Sequence, residues 1–330
     1  MVVRASIGIA IDRGGSGTTD EMIRNADTAM YAAKSAGKGR AELFRPAMHE
    51  RALEVFEVQA DLQRALGNDE FRVHYQPVVD IATGVAGGME ALIRWEHPER
   101  GLLLPGEFIG VAEETGLIVP MGMWVLREAC RQVSVWRTNY PGAADLWLSV
   151  NLSTRQLLEP NLVDQVWDIV HTSGLPPSSL VLEITEGSLM QDVAQTAAKL
   201  RALKELGVGL AIDDFGTGSS SLGYLREFPI DLLKIDKSFV DEVTDTDSDG
   251  PALVRAIIEL AQTLRVQTVA EGIERSEQLD ELRSAGCVSG QGYLFARPLA
   301  TSDMEAFLQR TGAAAATSDR SRVDATPGAV

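Results

Sequence analysis

From Phe71 onward, short apolar runs of strand length alternate with longer segments whose apolar residues recur at helical spacing. The strand-like runs are Phe71–Val79, Gly88–Trp95, Leu146–Leu152, Leu180–Thr185, Val208–Asp213, Leu232–Asp236, Val266–Glu271 and Ser289–Phe295. Helix-length segments lie at about 105–139, 154–173, 190–205, 217–227, 249–264 and 275–284, and a last one at 301–310 follows the eighth strand. Eight strands alternating with helices predict an α/β fold of the TIM-like (β/α)8 barrel type. One connection breaks the alternation. Only Asp80–Gly87 separates the first two strands, and a parallel crossover needs about a dozen residues or more. These two strands are therefore expected to pair antiparallel, as a hairpin inside the barrel.

The pattern before Phe71 is different. Residues 2–11 read as a strand, a helix capped by Thr19 or Asp20 runs to about Ser35, and Arg40–Phe44 reads as a second short strand. One helix between two strands is too little for an independent core, so this small N-terminal α/β fragment reads as the end of a larger domain. Residues 47–67 read as a helix with Leu53, Phe56, Leu62 and Leu66 on its apolar side. The expected organisation is a fragment at 1–46, a barrel domain at 47–311 and a disordered tail at 312–330, where apolar residues larger than alanine nearly vanish. Thr244–Gly250 reads as an acidic surface loop.

Composition narrows the functional classes. A hydrophobic content of 45% over 330 residues supports a large core. The formal net charge of −17 argues against binding long nucleic acid or an anionic membrane through a basic surface, but leaves room for a small anionic ligand held locally. Cys130 and Cys287 are far apart and lack metal spacing, which fits a reducing cytoplasm rather than a disulfide framework. The longest apolar run, Leu117–Leu126, is interrupted by Pro120 and Gly122 and falls far short of the ~20 residues of a membrane span. None of the four histidines is paired at ligand spacing, so any metal would be held mainly by oxygen, favouring Mg²⁺ or Mn²⁺ over zinc.

The chemistry gathers at the C-terminal ends of the strands, where barrels of this class carry their active sites. The second strand has Glu90, Leu92 and Arg94 on one face by period-two alternation. The third ends at Asn151, the fourth at Glu183 with Glu186 just beyond, and the fifth at Asp213–Asp214 before a Gly/Ser-rich turn. The sixth carries Lys234 and Asp236, the seventh Glu271, the eighth Gln291. A lone Asp-Asp pair reads as a solvated turn, and Glu90 with Arg94 reads as a buried ion pair. Seven successive strands ending this way instead suggest a ring of hard oxygen ligands around one ammonium, a divalent-metal site. Two metals about 3.5–4 Å apart could activate a bridging water for attack on a phosphodiester, with Lys234 offsetting developing charge and Arg94 holding a phosphate oxygen.

Two resemblances follow. ASIGIA and IRNADTAMYAAKSAGKGRAELF are similar to the C-terminal end of GGDEF domains, the diguanylate cyclases, without that family's signature loop or most of its sheet. The ordered set EALIRW, VNLS, LEITE, AIDDFGTGSSSL, LKIDKSFV, AEGIE and QGYLFARPL, from about residue 50 to 310, closely resembles the EAL family of cyclic di-GMP phosphodiesterases. That resemblance implies a (β/α)8 barrel with one reversed strand and hydrolysis of cyclic di-GMP to linear pGpG with one or two Mg²⁺ or Mn²⁺ ions. It implies Glu90, Asn151, Glu183 and Asp213 as ligands of a first metal, with Asp213 bridging to a second held by Asp214. Glu271 would be a further catalytic carboxylate and metal ligand near the second ion. Lys234 would contact the attacking water, with Asp236 beside it. Arg94 and Gln291 resemble substrate contacts, as do Leu92 and Gln76. Glu186 resembles the anchor of the loop after Asp214, in which Ser219 stands where an aromatic is commonest. Related domains often pair, which makes a homodimer an expectation.

Two other readings compete with an active phosphodiesterase. A silent cyclic di-GMP receptor would normally lack an acidic ligand, and here none is substituted. An unrelated metal-dependent barrel acting on phosphosugars or enolates would lack the ordered motif set.

Overall fold

The structure is a computed structural model that describes residues 5–12, 18–35, 39–190, 192–217, 227–245 and 247–310. The expected tail at 312–330, Ser219 and most of the helix expected at 217–227 lie outside these residues. The chain forms two compact units, residues 1–70 with 106–117, and residues 71–105 with 118–330.

In the first unit, β1 (Ile7–Ile9) and β2 (Ala41–Leu43) pair in parallel and are joined by the helix Thr19–Ser35. That helix lies directly on β1, because a Cβ added at Gly8 would fall 1.9 Å from the Ala26 carbonyl oxygen. The helix Ala47–Ala65 follows, with Val55, Val58, Leu62 and Ala65 as its buried stripe. The expected stripe was rotated from this one: Leu62 belongs to it and Leu66 is half-buried, but Leu53 and Phe56 are 65% and 71% exposed. Helical spacing alone admits either face, and only the packing of the folded chain selects one.

The second unit is the barrel. Its strands are β3 (Phe71–Asp80), β4 (Ala86–His97), β6 (Trp147–Asn151), β7 (Leu180–Thr185), β8 (Gly209–Phe215), β9 (Leu232–Ile235), β10 (Gln267–Ala270) and β11 (Ser289–Gly290), while β5 (Gly101–Leu103) is appended to β4. Hydrogen bonding runs β3-β11-β10-β9-β8-β7-β6-β4 and closes from β4 back to β3. β3 is antiparallel to both neighbours, and every other contact around the ring is parallel. The hairpin expected between the first two strands is therefore present. Asp80 organises its turn, its carboxylate accepting from the Thr83 backbone and hydroxyl, both at 2.8 Å, and Gly84 takes the positive φ of 71°.

The expected elements differ at several edges. The 105–139 segment is two helices, Pro105–Thr115 and Ile118–Asn139, parted at Gly116, whose φ is 84°. The 154–173 segment is likewise two, Thr154–Leu158 and Leu162–Ser173, parted at Glu159–Pro160. The eighth strand stops at Gly290 and gives way to a turn at 292–295. Short elements that the pattern did not predict are β5 and the helices Glu186–Leu189 and Lys237–Glu242.

Inside the barrel, period two separates two chemistries. A lower layer of Val78, Ala211, Leu232 and Val269 forms a buried apolar cluster with Trp147 and Val181 against it. Two residues further along the same strands come Asp213, Lys234 and Glu271, and Glu183 follows Val181 in the same way. On reversed β3 the order inverts, so Gln76 precedes Val78 and stands opposite Glu90 of β4. The apolar layer excludes water beneath the charged one.

Close packing at this floor leaves no spare volume at Gly88, where an added Cβ would lie 2.2 Å from the Trp147 indole. Gly88→Ala is expected to destabilise the fold by about 1–3 kcal/mol through overpacking. The check is a lower urea midpoint at unchanged slope.

Candidate active site

Lys234 of β9 is the buried centre of the charged layer, with 2% of its side chain exposed. Its ammonium lies 2.7 Å from Glu183 Oε2, 2.7 Å from Glu271 Oε1, 3.0 Å from Asp213 Oδ1 and 3.4 Å from Glu90 Oε2. The carboxylates come from β7, β8, β4 and the residue after β10. Glu271 lies outside its strand, but its N–H donates to the Ile235 carbonyl at 3.0 Å and continues the ladder by one step. Gln291 is held in the same way, its N–H donating to the Ala270 carbonyl at 2.8 Å.

Glu90 is the most closely held carboxylate. Asn151 Nδ2 donates to its Oε1 at 2.7 Å, and Gln291 Nε2 donates to its Oε2 at 2.8 Å. Burial works against its charged form, but Lys234 and these donors outweigh burial and hold its pKa below the ordinary carboxylate value. The rest of the ring carries surplus negative charge. Burial and the nearby charge of Glu90 push Glu183 well above the ordinary value, with Lys234 opposing. Burial raises Glu271 to about 7, again against Lys234 and with help from Asp213 and Glu90. Asp214 is raised by burial and by Asp213. Burial alone would lower Lys234, but Glu183, Glu90, Glu271 and Asp213 outweigh it, so the ammonium keeps its proton.

This surplus is what a divalent cation would relieve. Asp213, Asp214 and Glu271 each offer an oxygen within 4.8 Å of the others. Asp213 Oδ1 is buried and accepts no hydrogen bond, although the ammonium is near it. An all-oxygen donor set in which one buried carboxylate oxygen has the Lys234 ammonium but no hydrogen-bond donor fits a hard cation. Asp214 reaches the cluster through its backbone: its φ of 52° falls in the register irregularity between Ile212 and Phe215 of β8. The next turn is tied down as well. Gly216 N–H donates to Glu186 Oε2 at 3.1 Å, and Gly216, at φ 96°, lies where a Cβ would meet the Phe239 ring at 2.8 Å.

The remaining expected residues divide into two groups. Gln76, Leu92 and Gln291 line a cavity of about 350 Å³ with Glu90, Glu271 and Tyr293. Lys237 and Glu274 also line it, and the motif pattern did not single them out. Both lie within the motifs LKIDKSFV and AEGIE, at positions to which no role was given. Arg94 and Asp236 are not among that lining. Arg94 Nη1 donates to the Ile93 carbonyl at 2.8 Å, and Glu90 pairs with Lys234, so the buried Glu90–Arg94 pair considered from the sequence is replaced by another. Asp236 caps the helix Lys237–Glu242, accepting from Ser238 N at 3.0 Å; it shares the strand's face with Lys234 by period but sits at its end as a cap.

The EAL domain family model matches residues 59–298. The chain belongs to the EAL domain family. It is 45% identical over 297 residues to the bifunctional diguanylate cyclase/cyclic di-GMP phosphodiesterase MucR of Pseudomonas aeruginosa, a match covering 90% of this chain and 43% of that protein. It is 40% identical over 309 residues to the cyclic di-GMP phosphodiesterase NbdA of the same species, covering 94% and 39%. The chain thus spans less than half the length of these relatives. Among solved structures, the PaMucR phosphodiesterase in complex with c-di-GMP is 44% identical with a TM-score of 0.72, covering 75% of this chain and 99% of that one. The EAL domain of Mycobacterium smegmatis DcpA is 38% identical with a TM-score of 0.63, covering 73% and 98%.

The EAL barrel's charged layer generates a stability prediction. Lys234→Met removes the ammonium from four facing carboxylates, and breaking a buried pair from one side costs about 3–5 kcal/mol. Denaturant unfolding in a chelator should show a loss of that size, and Mn²⁺ should restore part of it.

Proposed function

We propose that this EAL domain hydrolyses cyclic di-GMP to linear pGpG with Mg²⁺ or Mn²⁺. The observation that carries the proposal is the convergence of Glu90, Glu183, Asp213 and Glu271 on one buried ammonium, with an adjoining cavity. That the similar proteins MucR and NbdA are cyclic di-GMP phosphodiesterases supports the substrate class.

In this reading Glu90, Asn151, Glu183 and Asp213 would hold a first cation, and Asp213, Asp214 and Glu271 would hold a second. The cations would polarise the scissile phosphate and lower the pKa of the attacking water. Lys234 keeps its proton among the carboxylates and would orient the attacking water and offset developing charge on the phosphate. Gln76, Leu92, Gln291 and Arg94 would contact the dinucleotide, with Asp236 at the edge of the site. Glu186 would hold the start of the loop after Asp214 through Gly216.

The first 46 residues fit the C-terminal end of a GGDEF domain. The parallel β1–helix–β2 unit is compatible with this, and the match to MucR, at 297 residues, is longer than the 59–298 span of the EAL match. The two cysteines are free and buried, which suits a reducing cytoplasm, and among the described residues no helix is long and apolar enough to cross a membrane. A homodimer remains the expected assembly.

Incubation of the chain with cyclic di-GMP and Mg²⁺ or Mn²⁺ should yield pGpG, and a chelator should stop it. Binding without conversion would instead favour a silent receptor. Glu90→Ala should abolish turnover, and near-normal rates would remove the first-cation assignment. Glu186→Ala should lower kcat by about 10- to 100-fold while the unfolding midpoint barely moves, as expected for a supporting contact; unchanged kinetics would refute the loop-holding role.

A further inference from the structure

Beyond the ligand ring lies a chain of amides that nothing above assigns a joint role. Gln76 Nε2 donates to the Ala296 carbonyl at 3.1 Å. Gln291 Nε2 donates to Gln76 Oε1 at 2.9 Å and to Glu90 Oε2 at 2.8 Å. Both glutamines are buried, at 7% and 5% exposure.

The chain has a forced polarity. A backbone carbonyl can only accept, so Gln76 must turn its amino group to Ala296 and its oxygen to Gln291. Gln291 then faces an amide oxygen on one side and a carboxylate on the other. Only its amino group satisfies both, and both of its hydrogens are used. The consequence is visible at the other end of the side chain: Gln291 Oε1 is buried with no hydrogen-bond partner. A free amide would turn to satisfy its oxygen, and this one is prevented.

The starting point of the relay is itself pinned. Tyr75 and Leu299 exchange backbone hydrogen bonds at 2.8 and 2.9 Å, which lashes the segment containing Ala296 to β3 beside Gln76. Gln291 is fixed by backbone bonds to Ala270 and Ile273.

We propose that Gln76 is a positioning residue: anchored on the Ala296 carbonyl, it locks the Gln291 amide so that Gln291 holds Glu90 in its cation-binding orientation. This goes beyond the substrate contact expected of Gln76, and it rests on the reading of Glu90 as a metal ligand. Asn151 fixes Glu90 Oε1, and the relay fixes Oε2, so the carboxylate has one orientation before a cation arrives. Preorganised ligands bind more tightly because less ordering remains to be done on binding.

The test is calorimetric titration of Mn²⁺ into the full chain without substrate. Gln76→Met, similar in length but without a donor and with only a weak sulfur acceptor, should weaken Mn²⁺ binding on the order of tenfold. Gln76→Glu keeps an acceptor for Gln291 but sets a carboxylate against the Ala296 carbonyl, and should weaken it as well. Gln291→Met should produce a similar loss, and the double variant no more than either single, because the two act through one relay. Unfolding midpoints identify any variant that has lost its fold, and Gln76→Glu serves if Gln76→Met fails. Parental Mn²⁺ affinity in a folded Gln76 variant, or fully additive losses, would overturn the relay. A parent chain that takes no Mn²⁺ would overturn the metal reading, and the relay with it.

Discussion

A single ammonium, that of Lys234, is shared by Glu90, Glu183, Asp213 and Glu271 in a place from which water is largely excluded. Neither side of this arrangement is tenable alone. A buried lysine without carboxylates would surrender its proton, and four carboxylates crowded together without a cation would repel one another. The carboxylates outnumber the lysine, and the upward shifts of Glu183 and Glu271 are the mark of that imbalance. The proposed cations would correct the imbalance, so the demand for metal is built into the same interaction that closes the barrel's interior.

The layer beneath makes this possible. Val78, Ala211, Leu232 and Val269 fill the barrel floor, and the strands that supply the last three deliver a charged side chain two residues later. Pleating thus sets polar and apolar residues a fixed height apart on one inward face. A one-residue slip of any strand would place its charge among the packed helices outside and its apolar neighbour in the site. The charged ring therefore specifies strand register as well as reactivity.

The reversed strand supplies what a uniform barrel would not. β3 runs against β4 and β11, so its inward residue at site height comes before its floor residue. That residue is Gln76, placed between Glu90 and Gln291 and reaching Ala296 beyond. The short hairpin at Asp80–Gly84 enforces the reversal, since its length forbids a crossover helix.

The sequence by itself determined the barrel, its one reversed strand and the convergence of carboxylates at strand ends. These follow from period, segment length and motif order, which are local properties of the chain. What it left open were choices between equivalent local solutions. Helical spacing in 47–67 admits either Leu53 and Phe56 or Val55 and Val58 on the buried face, and packing selected the latter. Period two put Arg94 on the face of Glu90, and the position of β9 across the barrel brought Lys234 to Glu90 instead. The Gln76–Gln291 pairing joins residues 215 positions apart, and no local signal specifies such a contact. Tertiary structure alone decided these, because burial and hydrogen-bond partnership depend on what the folded chain brings alongside, and a residue's own neighbours in sequence carry no record of it.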